Sequence, residues 1–293
     1  MKIRDLFQKN KPLFSFEFFP PKTDAGMVSL ERTIRELADL KPAYVSVTSG
    51  AGGSTRERTL GLVSRIQDEL GLLAMAHFTC VGAGRNELGA TLDRLAAAKI
   101  HNIIALRGDP PVGADRFEQA PDGLAHASEL VTFIRGRFGD SLGVAGACYP
   151  EGHLECRDAE RDLAHLVTKV RAGTDFLITQ LFFDNQHYFR FVERARAAGI
   201  DVPIVPGIMP IGNVAQIERF TKMCGASIPS PLFSELDRCR NDPAAVAALG
   251  AAHATAQVVD LLRGGAPGVH FYTLNQSPAT RVILTAIKAA HLA

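Results

Sequence analysis

The sequence predicts a single (β/α)8 barrel. Three observations carry that expectation. Short apolar or β-branched runs alternate with longer amphipathic runs, the alternation recurs about eight times in 293 residues, and no Ser/Pro/Gly-rich tract breaks it as a linker would. An open doubly wound sheet is the other arrangement such alternation can take. The expected strands are LFSFEFF (13–19), YVSVT (44–48), LAMAHFT (73–79), NIIALR (102–107), LGVAGACY (142–149), FLITQLFF (176–183), PIVPGI (203–208) and GVHFYTL (268–274), each a short run rich in residues that suit a pleated sheet. Between them, MVSLERTIRELADL (27–40), ERTLGLVSRIQDEL (57–70), RNELGATLDRLAAAKI (85–100), RDLAHLVTKVRAG (161–173) and VAQIERFTKM (214–223) have helical length and period. One domain is expected to span residues 1–293, with no internal repeat and no low-complexity tract.

Composition narrows the function. With 46% hydrophobic and 22% charged residues, the chain reads as a soluble globular protein rather than a disordered one. Its net charge of +1 and lack of Lys/Arg runs remove the electrostatic footprint of a nucleic-acid binder. The opening MKIRDLFQKN has no apolar core of the signal-peptide kind, so a cytoplasmic protein is expected. Five cysteines without a C-x-x-C pair read as reduced thiols. The run AAVAALGAAHATAQVVDLL (244–262) is mostly alanine and is interrupted by His253, Gln257 and Asp260, so it is expected to pack on the domain rather than cross a membrane.

A barrel places chemistry at the C-terminal ends of its strands. There the sequence puts Glu17, Thr48, His77 and Thr79, Arg107 and Asp109, Tyr149, and Gln180. Glu17 stands out because FSFEFFPPK sets a carboxylate among four phenylalanines before two prolines. Alternation sends Phe14, Phe16 and Phe18 toward the helices and Ser15, Glu17 and Phe19 to the other face. An apolar neighbourhood would raise the carboxyl pKa and keep a proton available near neutral pH. Other patterns are weaker. SGAGGST (49–55) and GAGRNE (82–87) are each one glycine short of a dinucleotide fingerprint and read as tight turns. His77 with Cys80 and His153 with Cys156 have H-x-x-C spacing, but neither pair has two further ligands nearby, so no metal is expected.

The motifs FSFEFFPPK, YVSVTSGAGG, HFTC, ALRGDPP, YPEGH, ITQLFFD, PGIMPI and FYTLN, in this order over nearly the whole chain, resemble the methylenetetrahydrofolate reductase family. The resemblance implies a short catalytic form without a regulatory domain, carrying FAD at the barrel mouth. It would take hydride from NADH, or NADPH, and pass it to 5,10-methylenetetrahydrofolate, using one pocket for both substrates and acting as a homo-oligomer. Thr48, His77, Arg107, Gly108, Asp109, Ala147, Tyr149, His153, Asp162 and Lys169 match family FAD contacts, with His165 where bacterial relatives place asparagine. Gln180 and Phe220 match contacts to folate or nicotinamide. Gln276 stands where those relatives carry an arginine suited to the folate glutamate tail. Glu17 and Asp109 fall at the catalytic positions, the first as the acid that opens the folate ring, the second tuning the flavin. Without the resemblance, the same residues allow a flavin-free barrel aldolase or hydrolase with Glu17 and Asp109 as an acid/base pair, or a catalytically inert binding barrel.

Overall fold

Parallel strands close into a barrel around an interior sealed at one end by the chain's own first turn. The computed structural model describes residues 1–9, 11–50, 55–110, 113 and 117–292. Ala51 to Ser54 of the SGAGGST segment lie outside the described residues. The strands are β1 (Leu13–Phe18), β2 (Tyr44–Val47), β3 (Ala74–Thr79), β4 (Asn102–Leu106), β5 (Gly143–Cys148), β6 (Phe176–Thr179), β7 (Ile204–Val205), β8 (Gly207–Ile208) and β9 (Gly268–Tyr272), in the order β7-β6-β5-β4-β3-β2-β1-β9-β8. β7 pairs with β6 and β8 with β9, all in parallel. The expected single strand over 203–208 is thus split by Pro206, which has no N–H to give a ladder, while its carbonyl still accepts from His270 N at 2.9 Å. The two short strands together form the eighth stave. The expectation of an (β/α)8 barrel holds, and the open sheet does not.

Around the strands lie α1 (Asp24–Ala38), α2 (Arg56–Leu70), α3 (Arg85–Ala97), α4 (Ala127–Phe138), α5 (Ala159–Arg171), α6 (Asn185–Ala197), α7 (Val214–Cys224), α8 (Ser230–Arg238), α9 (Pro243–Arg263) and α10 (Pro278–Ala289). Side-chain caps start several of them: Asp158 accepts from Glu160 N and Arg161 N at the start of α5, and Asn213 from Gln216 N at the start of α7. Phe14, Phe16 and Phe18 pack outward into the layer between barrel and helices, as strand alternation predicts. Phe19 lies beyond the end of β1 and is exposed, so it does not share the inner face with Glu17.

The lower barrel interior is apolar, built from Tyr44, Met75, Ile104, Ala145, Phe176 and Ile178. Ile3 and Phe7 of a 3-10 turn (Ile3–Lys9) join this cluster and plug that end. Asn102 anchors the plug by accepting from Ile3 N at 2.7 Å and donating to Met1 O at 3.1 Å. Arg4 adds an ion pair with Asp175 at 2.9 Å. With the N-terminal end of the barrel covered, the opposite mouth is the open one.

α9 is long and apolar enough to span a membrane by composition, yet its polar residues dock it to the barrel. Gln257 Nε2 donates to Phe182 O at 3.2 Å, and Asn185 Nδ2 to Gln257 O at 3.0 Å. This is the packed helix that its interrupted composition predicts.

Closure of the barrel between β9 and β1 depends on one glycine. Gly268 has φ +148°, and a Cβ there would lie 2.0 Å from Leu13 O. Gly268→Ala is therefore expected to cost about 3 kcal/mol or more, through backbone strain plus a clash that neither strand can yield to. A urea unfolding midpoint indistinguishable from wild type would contradict it.

Candidate functional site

Strand alternation makes one side of the upper barrel polar. Ser15 and Glu17 of β1, Ser46 of β2, His77 of β3 and His270 of β9 point inward, and register brings them level: Glu17 pairs with Ser46 across one neighbour, and Ser15 with His270 across the other. Glu17 Oε2 lies 3.0 Å from His77 Nε2, 3.4 Å from His270 Nε2 and 3.4 Å from Ser46 Oγ. The approach of His77 Nε2 is close but not aligned for a directed hydrogen bond. His270 is fully buried. Its Nδ1 is 2.7 Å from Ser15 Oγ, and its ring stacks on Tyr44 at a centroid distance of 6.1 Å.

The expected apolar neighbourhood of Glu17 is not what surrounds its carboxylate. The phenylalanines face away from it, and imidazoles and a hydroxyl meet it instead. Burial pushes the carboxyl up, but the charge of His77 and the hydrogen bond from His270 outweigh that push and bring it from 4.5 down to about 2. The two-sided placement has a pH consequence. A carboxyl whose folded value is depressed stabilises the fold fully above its ordinary value and loses that contribution as pH falls from 4.5 toward 2. Urea midpoints of the wild type should fall more steeply over that window than those of Glu17→Gln, and parallel curves would refute the contact's role.

A cavity of about 860 Å³ opens over the ends of β4 and β5 and along α5. That volume suits a large organic ligand. Among the sequence-predicted residues it gathers Arg107, Ala147, Tyr149 and His153 from the strand ends and following loop, and Asp162, His165 and Lys169 from α5. Lys169 Nζ donates to Ala147 O, and burial lowers its pKa. Burial likewise raises the Tyr149 hydroxyl to about 12, with Asp109 adding to the rise. Asp162 accepts from His153 N at 3.2 Å, tying α5 to the β5 loop. His165 is exposed at the rim.

The other predicted residues are not in the lining of this cavity. Thr48, half-buried beyond β2, donates its N–H to Phe18 O at 2.8 Å. Gly108 has φ +90°, and a Cβ there would meet Val81 Cγ1 at 2.5 Å, so the turn after β4 requires glycine. Asp109 follows it, exposed at the mouth. β6 ends at Thr179, not at residue 183, so Gln180 sits just past the strand with its side-chain oxygen accepting from Leu181 N at 2.9 Å. Phe220 packs half-buried on α7 against a second apolar cluster. Gln276 is exposed on the loop after β9.

Sequence reasoning missed Ser46 and His270 as partners of Glu17, and Ser15 as the partner of His270. The available signal was a polar residue at an inward position of an otherwise apolar strand, His270 within GVHFYTL. The buried cysteines Cys80 and Cys148 and the other three are free thiols.

Comparison with known proteins gives a coherent result. The chain matches the methylenetetrahydrofolate reductase family over residues 2–288. It is 39% identical over 283 residues to methylenetetrahydrofolate reductase (NADH) 1 of Arabidopsis thaliana, covering 94% of this chain and 48% of that protein. It is 39% identical over 269 residues to the 5,10-methylenetetrahydrofolate reductase of Escherichia coli (strain K12), covering 92% of this chain and 88% of that one. The chain thus spans about half the length of the plant relatives it matches. Among solved structures, an uncharacterized protein from Clostridium thermocellum that binds two copies of 5-methyl-5,6,7,8-tetrahydrofolic acid superposes with a TM-score of 0.62 at 15% identity, over 98% of both chains. The dihydropteroate synthase of Xanthomonas albilineans does so at 0.53 and 13%, over 96% of this chain and 92% of that one. At those identities the structures speak to the fold alone.

Proposed function

Since the chain belongs to the methylenetetrahydrofolate reductase family, we propose that it is an FAD-dependent reductase converting 5,10-methylenetetrahydrofolate to 5-methyltetrahydrofolate with NADH as donor. The observation that carries this reading is that one barrel holds, at the C-terminal ends of β4 and β5, a cavity lined by Arg107 and Lys169 and, on β1, β3 and β9, the Glu17–His77–His270 cluster. NADH is favoured over NADPH because two plant relatives carry NADH in their names.

The residues present fit the cofactor. A dinucleotide brings a pyrophosphate, and Arg107 and Lys169 supply cations in the cavity. It brings a flat ring system, and Tyr149 offers a face with a hydroxyl. It brings a polar ring edge and ribityl hydroxyls, and among the described residues the buried Thr79 Oγ1 and Ser49 Oγ have no hydrogen-bond partner. Thr48, Gly108, Ala147, His153, Asp162 and His165 complete the expected contacts. When bound, FAD supplies a two-electron relay between the nicotinamide and folate.

The chain's own contribution is a proton and a dry, shaped mouth. The five-membered ring of the folate must open before it accepts hydride, and opening requires a proton on the departing nitrogen. Glu17 would take up that proton and pass it on, against the downward pull that His77 and His270 exert on its carboxyl. Burial already gives the largest single push on Glu17 and acts upward, so covering the site with cofactor and folate strengthens the push toward the protonated acid. Gln180 and Phe220 would orient the folate or nicotinamide ring, and Gln276 would meet the glutamate tail by hydrogen bonding without charge pairing. The acid/base pair of a flavin-free aldolase is disfavoured, since the contacts of the Glu17 carboxylate are His77, His270 and Ser46 while Asp109 is exposed on its loop.

Steady-state assay with both nicotinamide donors tests the proposal. Folate-dependent NADH oxidation is expected, and a clear NADPH preference would remove the donor assignment. Asp109 provides a further check. Its carboxylate, close enough to Tyr149 to raise that hydroxyl's pKa, would disfavour negative charge on a reduced flavin beside it. Asp109→Asn is expected to raise the flavin midpoint potential and to slow folate reduction more than flavin reduction. An unchanged potential would leave Asp109 a loop residue before Pro110.

A further inference from the structure

Arg107 is one of the cations that line the cavity, and it is already engaged. Its Nη1 donates to Glu155 Oε2 and its Nη2 to Glu155 Oε1, both at 2.6 Å. This is the two-pronged geometry in which a guanidinium holds a carboxylate or a phosphate. The guanidinium is kept in place from another side as well, lying 5.0 Å over the ring of Phe117. Among the described residues Glu155 has no comparable anchorage: its side chain is 58% exposed, and beyond Arg107 its backbone N–H donates to His153 Nδ1 at 3.1 Å. Arg107, Glu155 and His153 all line the same cavity. A rotatable carboxylate therefore occupies the fork of a fixed cation inside a pocket sized for a phosphate-bearing ligand.

Resting on the reading of this pocket as the FAD site, we propose that Glu155 is an internal competitor for the cofactor's phosphates, a latch that exchanges with them on Arg107 and so sets how readily the cofactor is released. Both anions need the same two guanidinium donors, so one must leave as the other arrives. Glu155 can leave cheaply, because an ion pair with so exposed a partner contributes little. Once displaced, its charge stays tethered to the loop beside the phosphates and keeps open a route back. The mutual perturbation of the pair agrees with this: hydrogen bonding to Glu155 raises the Arg107 pKa, and hydrogen bonding to Arg107 lowers that of Glu155.

The test is the rate at which flavin fluorescence appears after holoenzyme is diluted into cofactor-free buffer. Glu155→Gln keeps the side-chain size and removes the charge. It is expected to slow FAD release by about three- to tenfold at low ionic strength, with the difference shrinking as salt screens the competing charge. In an Arg107→Gln background the same substitution should change nothing, because the shared fork is gone. Faster release from Glu155→Gln would mean that Glu155 braces Arg107 for the cofactor, and an unchanged rate would mean that the two anions do not share the cation. Either result overturns the proposal while leaving the FAD reading intact. A wild-type protein that holds no flavin would instead overturn that reading.

Discussion

Replacing Glu17 by Gln is expected to slow reoxidation of the reduced enzyme by 5,10-methylenetetrahydrofolate by about 10²–10⁴-fold, the scale of losing a positioned general acid. Bound FAD and its reduction by NADH should survive almost unchanged. The separation follows from where the side chain sits. Its carboxylate faces His77, His270 and Ser46 inside the barrel, to one side of the cavity that Arg107 and Lys169 line. Gln preserves the volume and can still accept from Ser46, so a fold-level collapse is not the expected outcome. It cannot carry a proton to the folate nitrogen. Stopped-flow records of flavin absorbance for each half-reaction distinguish the possibilities. If both half-reactions persist, Glu17 is not the acid; if both fail with loss of flavin, its role is structural.

Lys169→Met should weaken FAD binding by about 10- to 100-fold, the usual cost of deleting a hydrogen bond that involves a charged group. Lys169 reaches from α5 across to Ala147 O and lines the cavity. Burial lowers its pKa by penalising the charge, and an anionic phosphate nearby would act in the opposite direction and favour the ammonium. Met keeps the aliphatic stem that packs against the β5 strand, so stability should change far less than affinity. Fluorescence titration of FAD, read beside thermal unfolding of the cofactor-free protein, checks this. Equal affinities in variant and wild type would reduce Lys169 to a strut between α5 and Ala147.

The barrel was legible because its signals are periodic and local. Phe14, Phe16 and Phe18 alternate with Ser15 and Glu17, and no long-range information is needed to send one set outward. The strand endings were less legible. FLITQLFF reads as eight residues of strand, yet pairing stops at Thr179, because strand length is set by the neighbours β5 and β7 rather than by β-propensity. Pro206 was visible as an interruption, but whether it ends a stave or merely notches one depends on pairing with β6 and β9 on opposite sides. The role of the first nine residues was hidden for a similar reason: Ile3 and Phe7 are unremarkable until the barrel exists for them to plug.

The site divides in the same way. The resemblance singles out Arg107, Tyr149, His153 and Lys169, and the structure lines one cavity with all four. The protonation state of Glu17 was misjudged because its sequence neighbours are phenylalanines, whereas its spatial neighbours come from β2, β3 and β9, up to 253 residues away. A strand shows its side chains to two different worlds, and only the fold says which partners share the inner one. Glu155 likewise carries no signal in sequence beyond an exposed loop carboxylate; its meaning comes from the fork it fills.

The central claim is that one mouth carries both a flavin and an acid able to pass the flavin's electrons to folate. Anaerobic titration of the purified protein in the visible range tests it most directly. The account predicts an oxidised flavin band that NADH bleaches and that 5,10-methylenetetrahydrofolate restores without oxygen. A colourless protein, or a band that NADH bleaches and folate leaves bleached, would contradict it.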